Sequence, residues 1–65
     1  MTTREQILAA RAILTDRQRR VLDLRLAGHS WRTIADSLGI HEATARGHHQ
    51  RALDRIETAL RKDAA

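Results

Sequence analysis

Apolar residues recur at helical spacing along nearly the whole chain, and residues that start and stop helices stand between the periodic stretches. Thr2-Thr3-Arg4-Glu5 offers a capping box, in which a hydroxyl and a side chain three positions on satisfy N–H groups that the first helical turn leaves unpaired. Ile7, Leu8, Arg11 and Ile13 follow at near-helical spacing, predicting a first helix over residues 3–13. Leu14-Thr15-Asp16-Arg17-Gln18 repeats the signal, with Thr15 as N-cap, Gln18 three positions later and Asp16 at the positive end of the helix dipole. The second helix carries Val21, Leu22, Leu24 and Leu26 and closes at Ala27-Gly28, where glycine takes up the left-handed conformation, giving 16–27. Ser30 caps a third helix over 31–38, with Ile34, Ala35 and Leu38 on one face and Gly39 at its end. After the turn Ile40-His41, the stripe Ala45, His49, Ala52, Leu53, Ile56 and Leu60 predicts a last helix over 42–62, about 31 Å long.

The expected fold is all-α: a four-helix compact domain, single over 1–65, with 1–13 as an N-terminal helix and 14–62 as the core. With 42% hydrophobic residues, one Trp and no Phe, Tyr, Pro or Cys, the chain has material for one small aliphatic core. Chains of this size bury only about 60% of their unfolded surface, so a second subunit or a bound polyanion has room to contribute stability. The lack of cysteine removes disulfides, thiol nucleophiles and Cys-ligated zinc, and suits a reducing cytoplasm. Apolar runs such as Ile7-Leu8-Ala9-Ala10 fall far short of the roughly 20 residues that span a bilayer, so no membrane partner is expected.

Charge changes the picture. The net charge is +4, and eleven of the twelve basic residues are Arg, whose planar fork suits phosphates and guanine edges. Solvated helix faces explain the composition equally well, since Arg alternates with Asp and Glu. The segment Trp31 to Arg46 decides between them: a short helix, a glycine turn, then a long basic helix. Ala35 is small where two helices cross closely, Gly39 permits the tight turn, and Ile34, Leu38 and Ile40 fill the wedge between them. The last helix is thereby set to enter a major groove about 12 Å wide.

From Leu14 onward the chain resembles region 4 of bacterial sigma factors and the related LuxR-type regulators. The likeness is carried by Leu14-Thr15, Val21-Leu22-x-Leu24, Ala27-Gly28-x-Ser30, Ile34-Ala35-x-x-Leu38-Gly39-Ile40 and Thr44-x-Arg46. Arg51-Ala52-Leu53-x-x-Ile56 in an unbroken helix is more similar to sigma region 4, whereas His48 is more similar to the LuxR type. The resemblance implies a helix-turn-helix in a bacterial or bacteriophage transcription regulator. Base edges would be read from the first half of the last helix, and phosphates held by the cap of the third helix and the start of the second. A complete sigma factor also carries a promoter-melting domain that 65 residues cannot hold, so the chain reads as a stand-alone regulator or as an excised piece.

Helical geometry agrees. If Ala45, His49, Ala52, Leu53 and Ile56 face the core, the opposite side presents Ala43, Thr44, Gly47 and Arg51, flanked by Arg46 and Gln50. Arg46 suits guanine, Gln50 suits adenine, and Glu42 can accept from cytosine N4. The expected base-reading set is therefore Glu42, Ala43, Thr44, Arg46, Gly47 and Gln50, and the expected phosphate set is Arg17, Ser30, Arg32, Thr33, His48 and Arg51.

Three positions depart from the family pattern: Ala45 where a large aliphatic is usual, His49 where an apolar residue is usual, and His41 at a polar N-cap. They predict loose packing of the last helix, to which Gly47 adds a cost of about 1 kcal/mol relative to alanine. Gly47 reads either as a close approach, to DNA or to a neighbouring helix, or as simple tolerance. His29, His41, His48 and His49 include no i, i+4 pair, and no metal or cofactor is expected. His49 belongs at the core margin, where its charge would make folding or binding sensitive to pH. Trp31 reads as a cover over one end of the core, with an indole N–H to phosphate as the other reading, and Leu22→Ala and Trp31→Ala should both destabilise. No nucleophile with an adjacent base, no paired buried carboxylates and no glycine-rich phosphate loop are visible, so the chain is expected not to be an enzyme. Double-stranded DNA is the expected partner. RNA polymerase and a homodimer stay open, the dimer through Ile7, Leu8 and Ile13 or through Leu60. A protein-interaction module without DNA affinity is the competing class.

Overall fold

The computed structural model describes residues 3–64, so residues 1, 2 and 65 of the expected 1–65 domain lie outside the described residues. Helix α1 spans Arg4–Ala10 and continues into a single 3-10 turn, Arg11–Ile13. It is followed by α2 (Asp16–Leu26), α3 (Trp31–Leu38) and α4 (Glu42–Ala64).

The starts of the helices are set by local hydrogen bonds. At α1 the capping box is formed by Thr3 with Gln6: Thr3 Oγ1 accepts from the Gln6 N–H at 3.2 Å, and Gln6 Oε1 accepts from the Thr3 N–H at 2.9 Å. Thr2 lies outside the described residues. Thr15 and Gln18 make the same box at α2, at 3.2 and 3.1 Å. Ser30 Oγ accepts from the Thr33 N–H at 3.1 Å to start α3. At the other ends, Gly28 and Gly39 take φ of 94° and 67°. These left-handed residues let the His29 N–H reach the Leu24 carbonyl (3.1 Å) and the Ile40 N–H reach the Ala35 carbonyl (3.0 Å).

The first helix is shorter than the 3–13 expected. Its last turn tightens because Leu14 is extended, with ψ of 155°, and its N–H turns back to the Arg11 carbonyl at 3.1 Å. Arg19 then donates to the carbonyl oxygens of Arg11 (3.3 Å), which already accepts from the Leu14 N–H, and of Leu14 (3.2 Å), tying α2 to the end of the first helix. Arg11 reaches across to an ion pair with Asp23 of α2.

Two apolar clusters form the core, and α2 and α4 run through both. Leu14, Leu22, Ala52 and Ile56 make one, with Ile7, Ala10, Leu26, Leu53 and Leu60 packed against it. Val21, Ile34, Ala35 and Ala45 make the other, with Leu24, Trp31, Leu38 and Ile40. Adjacent residues Val21 and Leu22 thus enter different clusters, because neighbours on a helix diverge by about 100°. The loose packing expected at Ala45 is not observed: Ala45 and Ala52 are fully sealed from solvent, since a small side chain lets α4 approach its neighbours closely. Ile7 and Leu60, considered as dimer contacts, are engaged with their own core, whereas Leu8 and Ile13 stay exposed. The molecule measures 39 × 18 × 18 Å, and α4, about 34 Å long, covers most of the long dimension.

Candidate nucleic-acid interface

The clusters settle which side of α4 is left over. With Ala45, Ala52 and Ile56 buried, the opposite side of its first half is presented to solvent: Glu42, Ala43, Thr44, Arg46, Gln50 and Arg51 are exposed, and Gly47 and His48 are half-buried. The His41 carbonyl accepts the first helical bond, from the Ala45 N–H at 3.0 Å. Arg46 and Glu42 form a long i, i+4 ion pair at 3.8 Å, weak in water and open to replacement by another partner. Gln50 donates to Asp54 Oδ1 at 3.0 Å, so its amide is oriented along the helix.

The phosphate candidates other than His48 fall at three places. Ser30, Arg32 and Thr33 are exposed at the start of α3, where Ser30 Oγ also donates to Thr33 Oγ1 at 3.0 Å. Arg17 sits at the other end of α3, donating from Nη1 to the Leu38 carbonyl at 3.2 Å. Eight residues of helix separate these ends by about 12 Å. Arg51 lies along a groove with Ile13, Gln18, Asp54, Arg55, Thr58 and Ala59, on the flank of α4 nearest the start of α2. A smaller cleft joins Arg17 to Arg20 and Ser37. Arg20 was not among the sequence candidates, although its position one turn after Arg17 on the same face was the available signal.

Trp31 and His49 meet in a T-shaped contact, ring centroids 5.1 Å apart, at the edge of the second cluster. Partial burial pushes the His49 pKa below its ordinary 6.5, and the nearby Arg25 charge adds in the same direction. A histidine whose folded-state pKa is depressed binds its proton more readily when unfolded. Its contribution to stability is therefore complete above about 6.5 and is lost as pH falls through the folded value. The thermal midpoint is expected to fall below that pH, and to fall less in His49→Gln, as scanning calorimetry across the range would show.

Gly47 is not held by its own chain. A Cβ built there meets nothing within 4 Å, which removes the reading of a close approach to a neighbouring helix. Gly47→Ala is expected to stabilise the fold by about 1 kcal/mol, read as a higher thermal midpoint. Any loss of DNA affinity in this stabilised variant would then measure how closely a duplex backbone approaches.

Among the described residues, no group of three or more His, Cys, Asp or Glu is placed to hold a metal ion, and no helix is long and apolar enough to cross a membrane. A short capped helix, a turn closed by a left-handed glycine, and a longer helix with its outer face free define a helix-turn-helix domain. The family model for sigma-70, region 4 matches residues 4–56, and the chain belongs to that family. It is a non-enzymatic family with a DNA-binding role in transcription and dealings with RNA polymerase. No curated protein and no solved structure matches the chain.

Proposed function

We propose that this chain, acting as a single helix-turn-helix unit, binds double-stranded DNA in a sequence-specific manner and regulates transcription. The observation that carries the reading is the uncovered outer face of the first half of α4, set beside the exposed, capped start of α3. In this reading Glu42, Ala43, Thr44, Arg46, Gly47 and Gln50 face base edges, and Arg17, Ser30, Arg32, Thr33, His48 and Arg51 hold phosphates. The separation of about 12 Å between Arg17 and the start of α3 is comparable with the width of a major groove, which supports phosphate contacts on both sides of an inserted α4.

Selection of bound duplexes from a random pool tests this directly. Recovery of a common element, with affinity falling steeply as salt rises, is the expected result. A pool that never converges, or binding indifferent to salt, would end it. A palindromic element would point to a dimer, for which half-sites lie about 34 Å apart, and a single short element to a monomer.

A second reading, docking on RNA polymerase without independent DNA affinity, is favoured by the groove that sets exposed Ile13 beside Arg51 and Arg55. Retention of polymerase by a chain that selects no DNA would establish it.

A further inference from the structure

Three side chains from three helices stack where α2, α3 and α4 meet. The Arg25 guanidinium lies over the Trp31 ring, 4.6 Å from its centroid. His49 meets the same indole at 5.1 Å with the planes inclined at 73°. Arg25 also donates from Nη1 to the His29 carbonyl at 3.0 Å, inside the connection that leads into α3. One arginine thus joins the last turn of α2 to the first residue of α3 and, through the indole, to the middle of α4. The remaining contact between α3 and α4 is aliphatic, through Ile34, Ala35, Leu38 and Ala45, and such contact has no preferred direction. Stacked planar groups have one.

We propose that Arg25 and Trp31 are positioning residues for DNA binding, acting through His49 to hold the outer face of α4 at the angle a groove requires. The inference rests on the DNA-binding reading above. It assigns no contact with DNA to either residue. A proton on His49 places a second cation against Arg25 across one indole, so the stack opens as His49 titrates. Arg25 is the charged group that faces His49 from α2, and α3 contributes the uncharged Trp31 ring. On α4 the neighbours one turn away are Ala45, Arg46, Ala52 and Leu53, of which Arg46 is paired with Glu42.

The test compares the wild-type chain with Arg25→Gln and His49→Gln on a duplex selected by the wild type, at low salt, from about pH 8 to about pH 5. Arg25→Gln is expected to bind about fivefold to tenfold more weakly near pH 8, with unchanged helix content by circular dichroism. Its salt slope should equal that of the wild type, whereas a lost phosphate contact would lower the slope by about one and overturn the proposal. The pH readout is the ratio of wild-type to His49→Gln affinity, which cancels charge changes common to both chains and should fall below about pH 6.5. Trp31, the sole tryptophan, should change fluorescence over the same range in the wild type and not in His49→Gln. Equal affinity for Arg25→Gln, or parallel pH profiles for wild type and His49→Gln, overturns the proposal and leaves the DNA-binding reading standing. If Arg25→Gln loses its helices, the two pH profiles decide. A wild-type chain that selects no duplex overturns both.

Discussion

Leu22→Ala is expected to leave much of the chain unfolded at room temperature. Leu22 is 1% exposed and is among the largest fully buried side chains, packed with Leu14, Ala52 and Ile56 where α2 crosses α4. Truncating such a leucine costs about 2–5 kcal/mol, from lost burial together with the cavity left behind. A core of this size supplies only about 3–5 kcal/mol in total, so the change is comparable with the whole stability. Two alanines already line the seam, Ala45 and Ala52, and neither can grow to fill a void at position 22. Urea titration followed by circular dichroism gives the measurement: the midpoint should drop to low denaturant or vanish. A loss below about 1 kcal/mol would mean that the two clusters do not depend on each other through α2.

The second large effect is on binding and follows from the proposed function. Arg46→Ala is expected to lower affinity for the selected duplex by about tenfold to a hundredfold and to relax the base preference at one position, as loss of a bidentate guanine contact does. The Arg46 side chain is 59% exposed and held only by a 3.8 Å pair with Glu42, so the change should leave stability nearly untouched. Arg51→Ala should instead weaken binding to all duplexes alike and reduce the salt slope by about one. The double variant should fall to background. Binding measured by fluorescence anisotropy at two salt concentrations separates the outcomes, and a double variant that binds like the wild type would remove α4 from the interface.

Much of this architecture was legible from short-range patterns. Thr15 with Gln18, Ser30 before Trp31 and Gly39 after Leu38 each act within about one helical turn, so reading neighbours in order suffices to place the starts of α2 and α3 and the turn before α4. The motif Ile34-Ala35-x-x-Leu38-Gly39-Ile40 likewise carries its geometry in its own spacing. At α1 local pattern does not single out the box that forms, Thr3 with Gln6, because Thr2 and Thr3 are chemically equivalent candidates and Gln serves as well as Glu three positions on.

The roles of the arginines were not legible. All eleven look alike in sequence, yet Arg11 goes to Asp23 twelve residues away, Arg17 to the Leu38 carbonyl twenty-one away, and Arg19 to two carbonyls at the end of the first helix. A long flexible side chain can reach partners on any neighbouring helix, and only the folded arrangement selects one. Arg25 is the clearest case: its site over Trp31 exists only after α2 and α3 are set against each other.

The order of helices, their caps and the helix-turn-helix were thus determined by the sequence itself, because each depends on hydrogen bonds and periodicity within a few residues. Tertiary structure alone decided how the core divides into two clusters, which cations are engaged within the fold, and why His49 resists its proton. Those outcomes depend on distances between residues far apart in the chain, which packing establishes and local pattern does not encode.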